Sequence, residues 1–439
     1  MRFLALASMI AVATAAGAGE LPSPLTDADF APVRPEEAAL GQLLFYDPIL
    51  SGNREVACAT CHHPAFGTSD GLSLSLGDGG IGLGPRRIAD PDNLPEQRVP
   101  RNAQSLFNLG ATAYTVLFHD GRIEADPSRP GGLRTPLDAD MRDGFASPLS
   151  AQSMFPVLSP DEMAGHYSEN EVAQAVRQGR LSTPGGAWDL IAARVAAVPY
   201  YAASFEAVYD HIHAPSDIGF TDISNAIAAF MEAEWRSDTS PFDARLRGEA
   251  EFSPEAEAGL QLFYGKAGCA DCHGGPLLTD FGFHVVGQPQ IGPGKGARFE
   301  THARDEGRFR VTGHPDDYYA FRTPSLRNVM HTGPWGHAGA YSDLRAFVSA
   351  HLDPKAALSA YDRAQAVLPT LEVADWRIMD DPVEVQAISD AVAIAPVTLT
   401  EAEIDELLAF LKSLSDSVAI AGRLGVPKTV PSGLKVPRP

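Results

Sequence analysis

Basic side chains are in short supply in this chain of 439 residues. Lysine and arginine together number 34, against 56 aspartates and glutamates, so the formal net charge at pH 7 is −22. Because a strongly acidic surface repels phosphate backbones, this composition argues against a nucleic-acid-binding protein. The same surface charge can steer a small basic protein toward this one.

Long apolar runs are absent after the N-terminus. Residues 3–13 form an apolar run that follows Met1-Arg2 and precedes small residues at 15–18, a layout typical of a secretory signal peptide. A membrane-spanning helix needs about 20 apolar residues, and neither this run nor any later segment is long enough. We therefore expect residues 1–18 to be a signal peptide cleaved after Ala18, and the mature protein to be periplasmic with no membrane span.

Cysteine is scarce, and its placement is more informative than its number. The four cysteines belong to two copies of one motif, Cys58-Ala59-Thr60-Cys61-His62 and Cys269-Ala270-Asp271-Cys272-His273. An exported protein with four cysteines would ordinarily form two disulfides, but C-x-x-C-H is the attachment motif for c-type haem. Two thioethers reach the two vinyl groups on one porphyrin edge, and the next residue turns its imidazole under the iron. We therefore expect two covalent haem c groups, with His62 and His273 as iron ligands; structural zinc or disulfides are the alternatives.

Strand-like alternation is sparse, whereas helical patterns recur in the same order in two halves of the chain. A stretch that begins Pro35-Glu36 leads to the first haem motif, and one that begins Pro254-Glu255 leads to the second. Each half closes on an amphipathic helix, at residues 223–235 and 401–414. The expected fold class is mainly α, with two cytochrome c-like haem domains related by internal duplication. Their expected bounds are 19–243 and 244–424, followed by an extended tail at 425–439.

Three further stretches carry a resemblance to a known family. They are Arg101-Asn102-Ala103, Phe118-His119-Asp120-Gly121-Arg122 and residues 321–329. With the haem motifs, they make residues 35–414 resemble the bacterial di-haem cytochrome c peroxidase superfamily, which includes the tryptophan-modifying enzyme MauG. The resemblance implies that the N-terminal domain holds the peroxide-reducing haem and that the C-terminal domain holds an electron-relay haem.

The resemblance also implies a set of catalytic residues. In the family, the distal side of the peroxide haem carries a glutamine, a proline four residues on and a glutamate six residues beyond that, and Gln152, Pro156 and Glu162 match this spacing. Heterolysis of peroxide moves a proton from the inner to the outer oxygen, so Glu162 is the expected general acid-base and Gln152 a polar positioning group. Taken alone, Asp161-Glu162 would be interpreted as a helix start, and the spacing of the triplet favours the catalytic role.

A calcium site between the domains is a further implication. Family members bind the ion through an asparagine side chain and two backbone carbonyls of a Thr-x-Pro segment, and Asn102, Thr332 and Pro334 match. Oxygen ligands suit this hard cation. An ordinary turn at 332–334 is the alternative.

Three features depart from the family pattern. His351 stands where the relay haem has methionine in peroxidases or tyrosine in MauG-type enzymes, so we expect His273/His351 ligation and a lowered relay potential; His337 is the alternative ligand. His119 stands where the family places a tryptophan between the haems. No histidine lies between His63 and His119, so no blocking ligand from this loop is available and the peroxide haem is expected to be open at rest.

The expected function is reduction of hydrogen peroxide with two electrons from a small donor protein, a cytochrome c or a cupredoxin. A MauG-like enzyme that oxidises a protein side chain or a small molecule is the alternative, and His119 and the low-potential relay keep it open. A plain electron carrier needs no acid-base group over an open iron, so Glu162 argues against that class. Because dimers are common in the family, a homodimer is an open alternative to a monomer.

Overall fold

A computed structural model describes residues 21–296 and 300–439, and the expected signal peptide at 1–18 lies outside these ranges. Regular structure in the described ranges is mainly helical, as predicted. The helices of the first half are α1 Pro35–Phe45, α2 Cys58–Cys61, α3 Pro148–Ser153, α4 Glu171–Arg177, α5 Ala187–Ala196, α6 Pro199–Val208 and α7 Phe220–Glu234. Those of the second half are α8 Pro241–Leu246, α9 Pro254–Phe263, α10 Phe309–Thr312, α11 Leu344–Leu352, α12 Pro354–Ser359, α13 Pro382–Ala391, α14 Glu401–Lys412 and α15 Ser417–Ala421.

The strands are only two or three residues long. They are β1 Gly80–Ile81, β2 Ile88–Ala89, β3 Val116–Leu117, β4 Ile123–Ala125, β5 Leu133–Arg134, β6 Phe283–His284 and β7 Phe321–Arg322. All pairs are antiparallel, in the orders β1-β2, β3-β4-β5 and β6-β7. None of the helices in the described ranges combines the length and the apolar character that a membrane crossing requires.

The first half is built around the crossing of α1 and α7. Proline at the first position of α1 suits the helical φ, and Glu36 and Glu37 follow in the first turn. At the crossing, a Cβ on Gly41 would lie 1.7 Å from the carbonyl oxygen of Ala226, so only glycine permits the approach. The larger hydrophobic core surrounds this crossing and includes Phe45, Trp188, Phe205, Phe230 and Trp235.

The second half contains the same kind of crossing, between α9 and α14. Ser253 caps α9 by accepting a hydrogen bond from the amide of Ala256. A Cβ on Gly259 would lie 1.9 Å from the carbonyl oxygen of Glu406, so glycine is again required where the two helices meet. The core of this half includes Phe242, Leu260, Phe263, Leu407 and Phe410. In each half, therefore, the helix before the haem motif packs on a long helix from the end of that half.

Buried ion pairs join the two halves. Arg101 forms a bidentate pair with Asp305, at 2.6 and 2.7 Å, and approaches Asp120 to 2.7 Å. Arg98 pairs with Asp375 at 2.8 Å. Because loss of one partner would leave a buried charge uncompensated, these pairs fix how the halves dock.

The loop after the first haem motif belongs to the same interface. Leu72, Leu74 and Leu76 are buried, and Leu74 lies in a hydrophobic cluster with Tyr341 of the second half. The amide of Ser73 donates to the carbonyl of Val367 at 2.9 Å. Both halves therefore hold this loop in place.

The tail at 425–439 contains no helix or strand and returns to the first half. Val430 and Val436 are buried in the larger core. The Ser432 hydroxyl donates to the Asp47 carboxylate at 2.6 Å, and the Glu234 carboxylate at the end of α7 accepts the amides of residues 423–425. The end of the chain thus packs against the half that carries the first haem motif.

Candidate active site

The first C-x-x-C-H motif lines a cavity in the first half. Cys58 and Cys61 begin and end α2, and both line the cavity together with His62. The Nδ1 atom of His62 lies 3.0 Å from the carbonyl oxygen of Thr68, which leaves Nε2 for a metal. Burial lowers the pKa of His62, so the imidazole is neutral, as an iron ligand must be.

The remaining walls of this cavity fit a covalent haem c. Apolar side chains cover them, including Phe45, Leu106, Leu149, Ile227 and Met231. Two thiols, a neutral imidazole and apolar walls together make the donor set and the surroundings of such a haem.

The predicted distal residues line the same cavity. Gln152 lies in the last turn of α3, Pro156 opens a single 3-10 turn, and Glu162 lies in one π-helical turn, Pro160–Ala164. Single π-turns occur frequently at functional sites. The Oε1 atom of Gln152 is buried without a hydrogen-bond partner among the described residues, which is expected of a polar group that faces a ligand. The structure therefore brings all three residues to the first haem motif.

The loop after the first haem motif fixes the backbone at Glu162. The amide of Asp78 donates to the carbonyl of Glu162 at 2.9 Å. A Cβ on Gly77 would lie 2.5 Å from that same oxygen, so the close approach requires glycine. The loop that both halves hold thus also positions the proposed acid-base.

Burial and two cations act in opposite directions on Glu162. Burial raises the pKa of its carboxyl group, whereas Lys295 and Arg122 lower it. Both cations line the cavity, and Lys295 comes from the second half. Arg122 could be found from the motif at 118–122, but nothing in the sequence points to Lys295.

The second C-x-x-C-H motif is held in a similar way. A 3-10 turn, Cys269–Asp271, begins it, and Cys272 and His273 follow. The Nδ1 atom of His273 lies 3.3 Å from the carbonyl oxygen of Leu278. As in the first half, this contact leaves Nε2 for a metal.

The imidazole of His351 lies within electrostatic reach of His273. Burial, and next the charge of His351, lower the pKa of His273 to about 4. On α11, the Nδ1 atom of His351 lies 2.9 Å from the carbonyl oxygen of Phe347, so this ring also keeps Nε2 available. Each of the two rings therefore keeps one nitrogen available for a metal.

The other candidate ligands of the second haem lie elsewhere. His337 stacks on Phe321, with ring centroids 3.9 Å apart, and the charged groups that act on it are Asp305 and Arg101 at the interface. Met330 is 36% exposed. Among the groups whose charges act on His273, His351 is present and His337 is not.

Zinc is a poor fit to the second motif. In the described ranges, one group of three potential metal ligands is close enough to share an ion, namely Cys272, Asp280 and His284. Cys269 is not part of it. A structural zinc site built on C-x-x-C would use both cysteines.

His119 lies where the two halves meet. Its Nε2 atom is 3.2 Å from the carbonyl oxygen of Asn102, and its own carbonyl accepts a hydrogen bond from the amide of Arg322 at 2.8 Å. Burial, followed by the charge of Arg101, lowers its pKa to about 3. The ring at this position is therefore neutral.

The expected calcium ligands lie on both sides of the interface. The Asn102 side chain donates to the carbonyls of Leu72 and Ser73 at 2.8 and 3.2 Å. Thr332 lies close to the first half, because a Cβ on Gly67 would be 3.3 Å from its amide nitrogen. Pro334 follows a cis peptide bond. None of the described hydrogen bonds of Asn102 reaches Thr332 or Pro334, so the described contacts do not join the three residues.

Comparison with known proteins decides the family. The sequence profile of the di-haem cytochrome c peroxidases, CCP_MauG, matches residues 35–251. The methylamine utilization protein MauG of Methylorubrum extorquens is 31% identical over 325 residues, which are 73% of this chain and 70% of that protein. This chain belongs to the di-haem cytochrome c peroxidase and MauG family.

Two further relatives support this assignment. The cytochrome-c peroxidase IdrP1 of Denitromonas iodatirespirans is 30% identical over 78% of this chain and 80% of its own length. Among solved structures, a MauG-like protein associated with microbial copper homeostasis superposes with a TM-score of 0.58 at 29% identity, covering 91% of this chain and 95% of that one. As a di-haem peroxidase family member, the chain is an oxidoreductase of the cytochrome c peroxidase type, and the family implies two haem c groups.

Proposed function

We propose that this protein is a periplasmic di-haem peroxidase that reduces hydrogen peroxide to water at the first motif, with electrons relayed through the second. One observation carries the proposal: Gln152, Pro156 and Glu162 line the cavity of Cys58, Cys61 and His62. In the second half, the charges that act on the haem histidine His273 come from the imidazole of His351 and the carboxylate of Asp280. The reaction consumes hydrogen peroxide, two electrons and two protons and yields two waters.

Proton transfer is the task of Glu162. When bound, the haem supplies the iron that holds peroxide and delivers the electrons. The Glu162 carboxylate takes the proton of the inner peroxide oxygen and returns it to the outer oxygen, which leaves as water. The buried Oε1 atom of Gln152, which has no hydrogen-bond partner among the described residues, can orient the peroxide. A carboxyl group whose pKa is raised by burial can both accept the proton and return it.

The first site is proposed to be open in the oxidised resting enzyme. His62 and His119 are the histidines among the residues that line the cavity, and His119 is engaged with Asn102. The loop after the motif carries no histidine between His63 and His119, and its leucines are buried. No ligand from this loop is therefore poised to block the site, and no reductive activation is needed.

The second motif is proposed to be the electron relay. His273 and His351 would hold its iron, and two imidazole ligands would favour the ferric state more than histidine with methionine does. The acidic surface, with a net charge of −22, suits a small basic cytochrome c as donor. Export to the periplasm is supported by the signal-peptide pattern at 1–18.

The matched crossings at Gly41 and Gly259 support a further proposal, that the halves arose by internal duplication. In both halves the helix before the haem motif approaches a later long helix so closely that a Cβ would overlap a carbonyl oxygen. The same close contact therefore recurs at the matching place in each half, as the sequence motifs do.

Calcium at the interface is also proposed, with Asn102, Thr332 and Pro334 as ligands. Its support is the position of Asn102 and Thr332 at the contact between the halves. Metal analysis of purified protein, before and after treatment with a calcium chelator, tests it. One tightly held calcium per chain, lost in Asn102→Ala, is expected; the absence of calcium would contradict the site.

The peroxidase proposal is tested by steady-state peroxide consumption with reduced cytochrome c. We expect two molecules of cytochrome c to be oxidised for each peroxide. Consumption of peroxide without oxidation of the donor would contradict the proposal.

A MauG-like reaction is the second candidate, since MauG and a MauG-like protein are among the relatives. His119 at the tryptophan position is the residue that favours it. Oxidised products formed from a protein or a small molecule in the absence of cytochrome c would support this second function.

A further inference from the structure

A lysine of the second half takes part in lining the cavity of the first haem motif. Lys295 lies in the loop between β6 and α10, and it lines the cavity together with Glu162 and Arg122. It also lines a polar groove of about 1790 Å³ on the outside of this cavity. Lys295, Arg122 and Pro100 are shared by the two linings. The lysine thus stands where the cavity meets the groove.

The backbone holds Lys295 in this place. Gly294 has a φ of +70°, and a Cβ there would lie 2.1 Å from the carbonyl oxygen of Ala303. The amide of Lys295 donates to the carbonyl of Arg304 at 3.2 Å. Asp305, which follows Arg304 in the chain, is the bidentate partner of Arg101. Lys295 is therefore tied to the segment that docks the second half on the first.

The ammonium group of Lys295 has no ion-pair partner among the described residues, whereas Lys266 on the surface has one. Burial, followed by the charge of Arg122, lowers its pKa to about 8, and Glu162 opposes this effect. In turn, Lys295 is the strongest charged influence that lowers the pKa of Glu162. A partly buried cation with no ion-pair partner among the described residues, lining the same cavity as the proposed acid-base, points to a functional role.

We propose that Lys295 is a positioning residue of the peroxide site, whose ammonium group keeps the Glu162 carboxylate ionised so that it can accept the proton of hydrogen peroxide. The inference rests on the proposed acid-base role of Glu162. It makes the peroxide site a product of both halves, since the base comes from the first and the cation that holds it ionised comes from the second. Correct docking of the halves then becomes a condition for peroxide chemistry.

Other charged groups surround this pair and set the background against which Lys295 acts. Arg101, Asp120 and Arg122 act on Lys295, and Asp161 lies beside Glu162. The segment after the first haem motif, which packs against Glu162, adds Asp70, Asp78 and Arg87. Glu162 acts as a base above its pKa. Loss of a neighbouring positive charge raises that pKa, so the decline in rate on acidification must move to higher pH.

The test compares Lys295→Met, which removes the charge, with Lys295→Arg, which retains it. The rate constant for peroxide with the oxidised holoenzyme is measured from pH 5 to 9, together with the affinity for cyanide, which also binds after giving up a proton to a base. We expect the acid limb of both profiles to move up by about 1 pH unit in Lys295→Met. At high pH Lys295→Met should match the wild type, and the acid limb of Lys295→Arg should stay close to its wild-type position.

A different role for Lys295, such as pairing with a haem propionate, gives different results. An unshifted acid limb with a changed reduction potential or haem spectrum would overturn the proposal. If Lys295→Met does not load haem, Lys295→Gln is measured in its place, and loss of haem from both variants would show a structural role instead.

The Glu162→Gln background separates the two proposals. There, Lys295→Met should cause no further change in the pH profile. If Glu162→Gln itself reacts with peroxide like the wild type, the proposed role of Glu162 fails. If it is slow but Lys295→Met leaves the wild-type profile unmoved, only the inference about Lys295 fails.

Discussion

The two halves of this protein solve the same structural problem and end in different chemistry. Each packs the helix before its haem motif on a later helix through a glycine, Gly41 or Gly259. Each orients a histidine, His62 or His273, through a backbone carbonyl. The difference lies in what meets that histidine: the first half offers polar side chains of a cavity, and the second offers His351. The two halves therefore share a scaffold that suits a haem, and the residues near the haem histidine set the function of each.

The largest expected effect comes from removing the haem of one half at a time. Cys58→Ala and Cys269→Ala should each lower the haem content from two to one, because no other cysteine can substitute. Haem-to-protein ratio and intact mass measure this directly. A wild-type mass without haem, or with two disulfides, would contradict the assignment of both motifs.

The next largest effect is expected at the acid-base residue of the first half. Glu162→Gln should keep both haems but slow the reaction with peroxide by about 10²-fold or more, the usual scale for loss of such a group. Stopped-flow absorption at neutral pH measures the rate.

Asp161→Asn is the matched control for that variant. Asp161 is the neighbouring carboxylate, it accepts a hydrogen bond from Gln97 at 2.7 Å, and it lines the outer groove instead of the cavity. Its substitution should leave the rate at neutral pH close to that of the wild type. Equal slowing in the two variants would move the acid-base role away from Glu162.

Substitution of His351 tests the expected ligand of the second haem. In the oxidised protein we expect one high-spin and one low-spin signal in electron paramagnetic resonance. His351→Ala should abolish the low-spin signal and leave the high-spin signal, whereas His337→Ala should preserve both. Two low-spin signals at rest would show that another residue blocks the peroxide site.

The smallest effects are expected where the halves are alike. Gly41→Ala and Gly259→Ala each force a Cβ onto a carbonyl oxygen, at 1.7 and 1.9 Å. Each should lower the free energy of unfolding by about 1–3 kcal/mol or more, the range for overpacked sites. Chemical denaturation of the two holoproteins measures both values. A large cost in one variant with none in the other would argue that the crossings are not equivalent.

Features that depend on neighbouring residues were accessible from the sequence. The haem motifs are local because two thioethers and one imidazole must reach a single porphyrin edge. The predicted closing helices at 223–235 and 401–414 appear as Phe220–Glu234 and Glu401–Lys412. The second begins with a capping box of Thr400 and Glu403.

The distal residues were found only through family spacing. In the sequence, Glu162 looks like part of a helix start, and the structure instead gives it one π-helical turn held by the loop that contains Gly77. Its catalytic role and those of Gln152, His351 and Asn102 stay predictions. What the structure adds is their placement, with Gln152 and Glu162 in one cavity.

By itself the sequence determined the family, the two haem motifs and the mainly helical fold, because short-range spacing and helix periodicity carry that information. Tertiary structure alone decided that Lys295 enters the site of the other half, that the tail returns to the first core, and that His337 stacks at the interface instead of approaching His273. These contacts join residues far apart in the chain. They depend on how the halves pack, and packing is a property of the whole folded chain that no local pattern encodes.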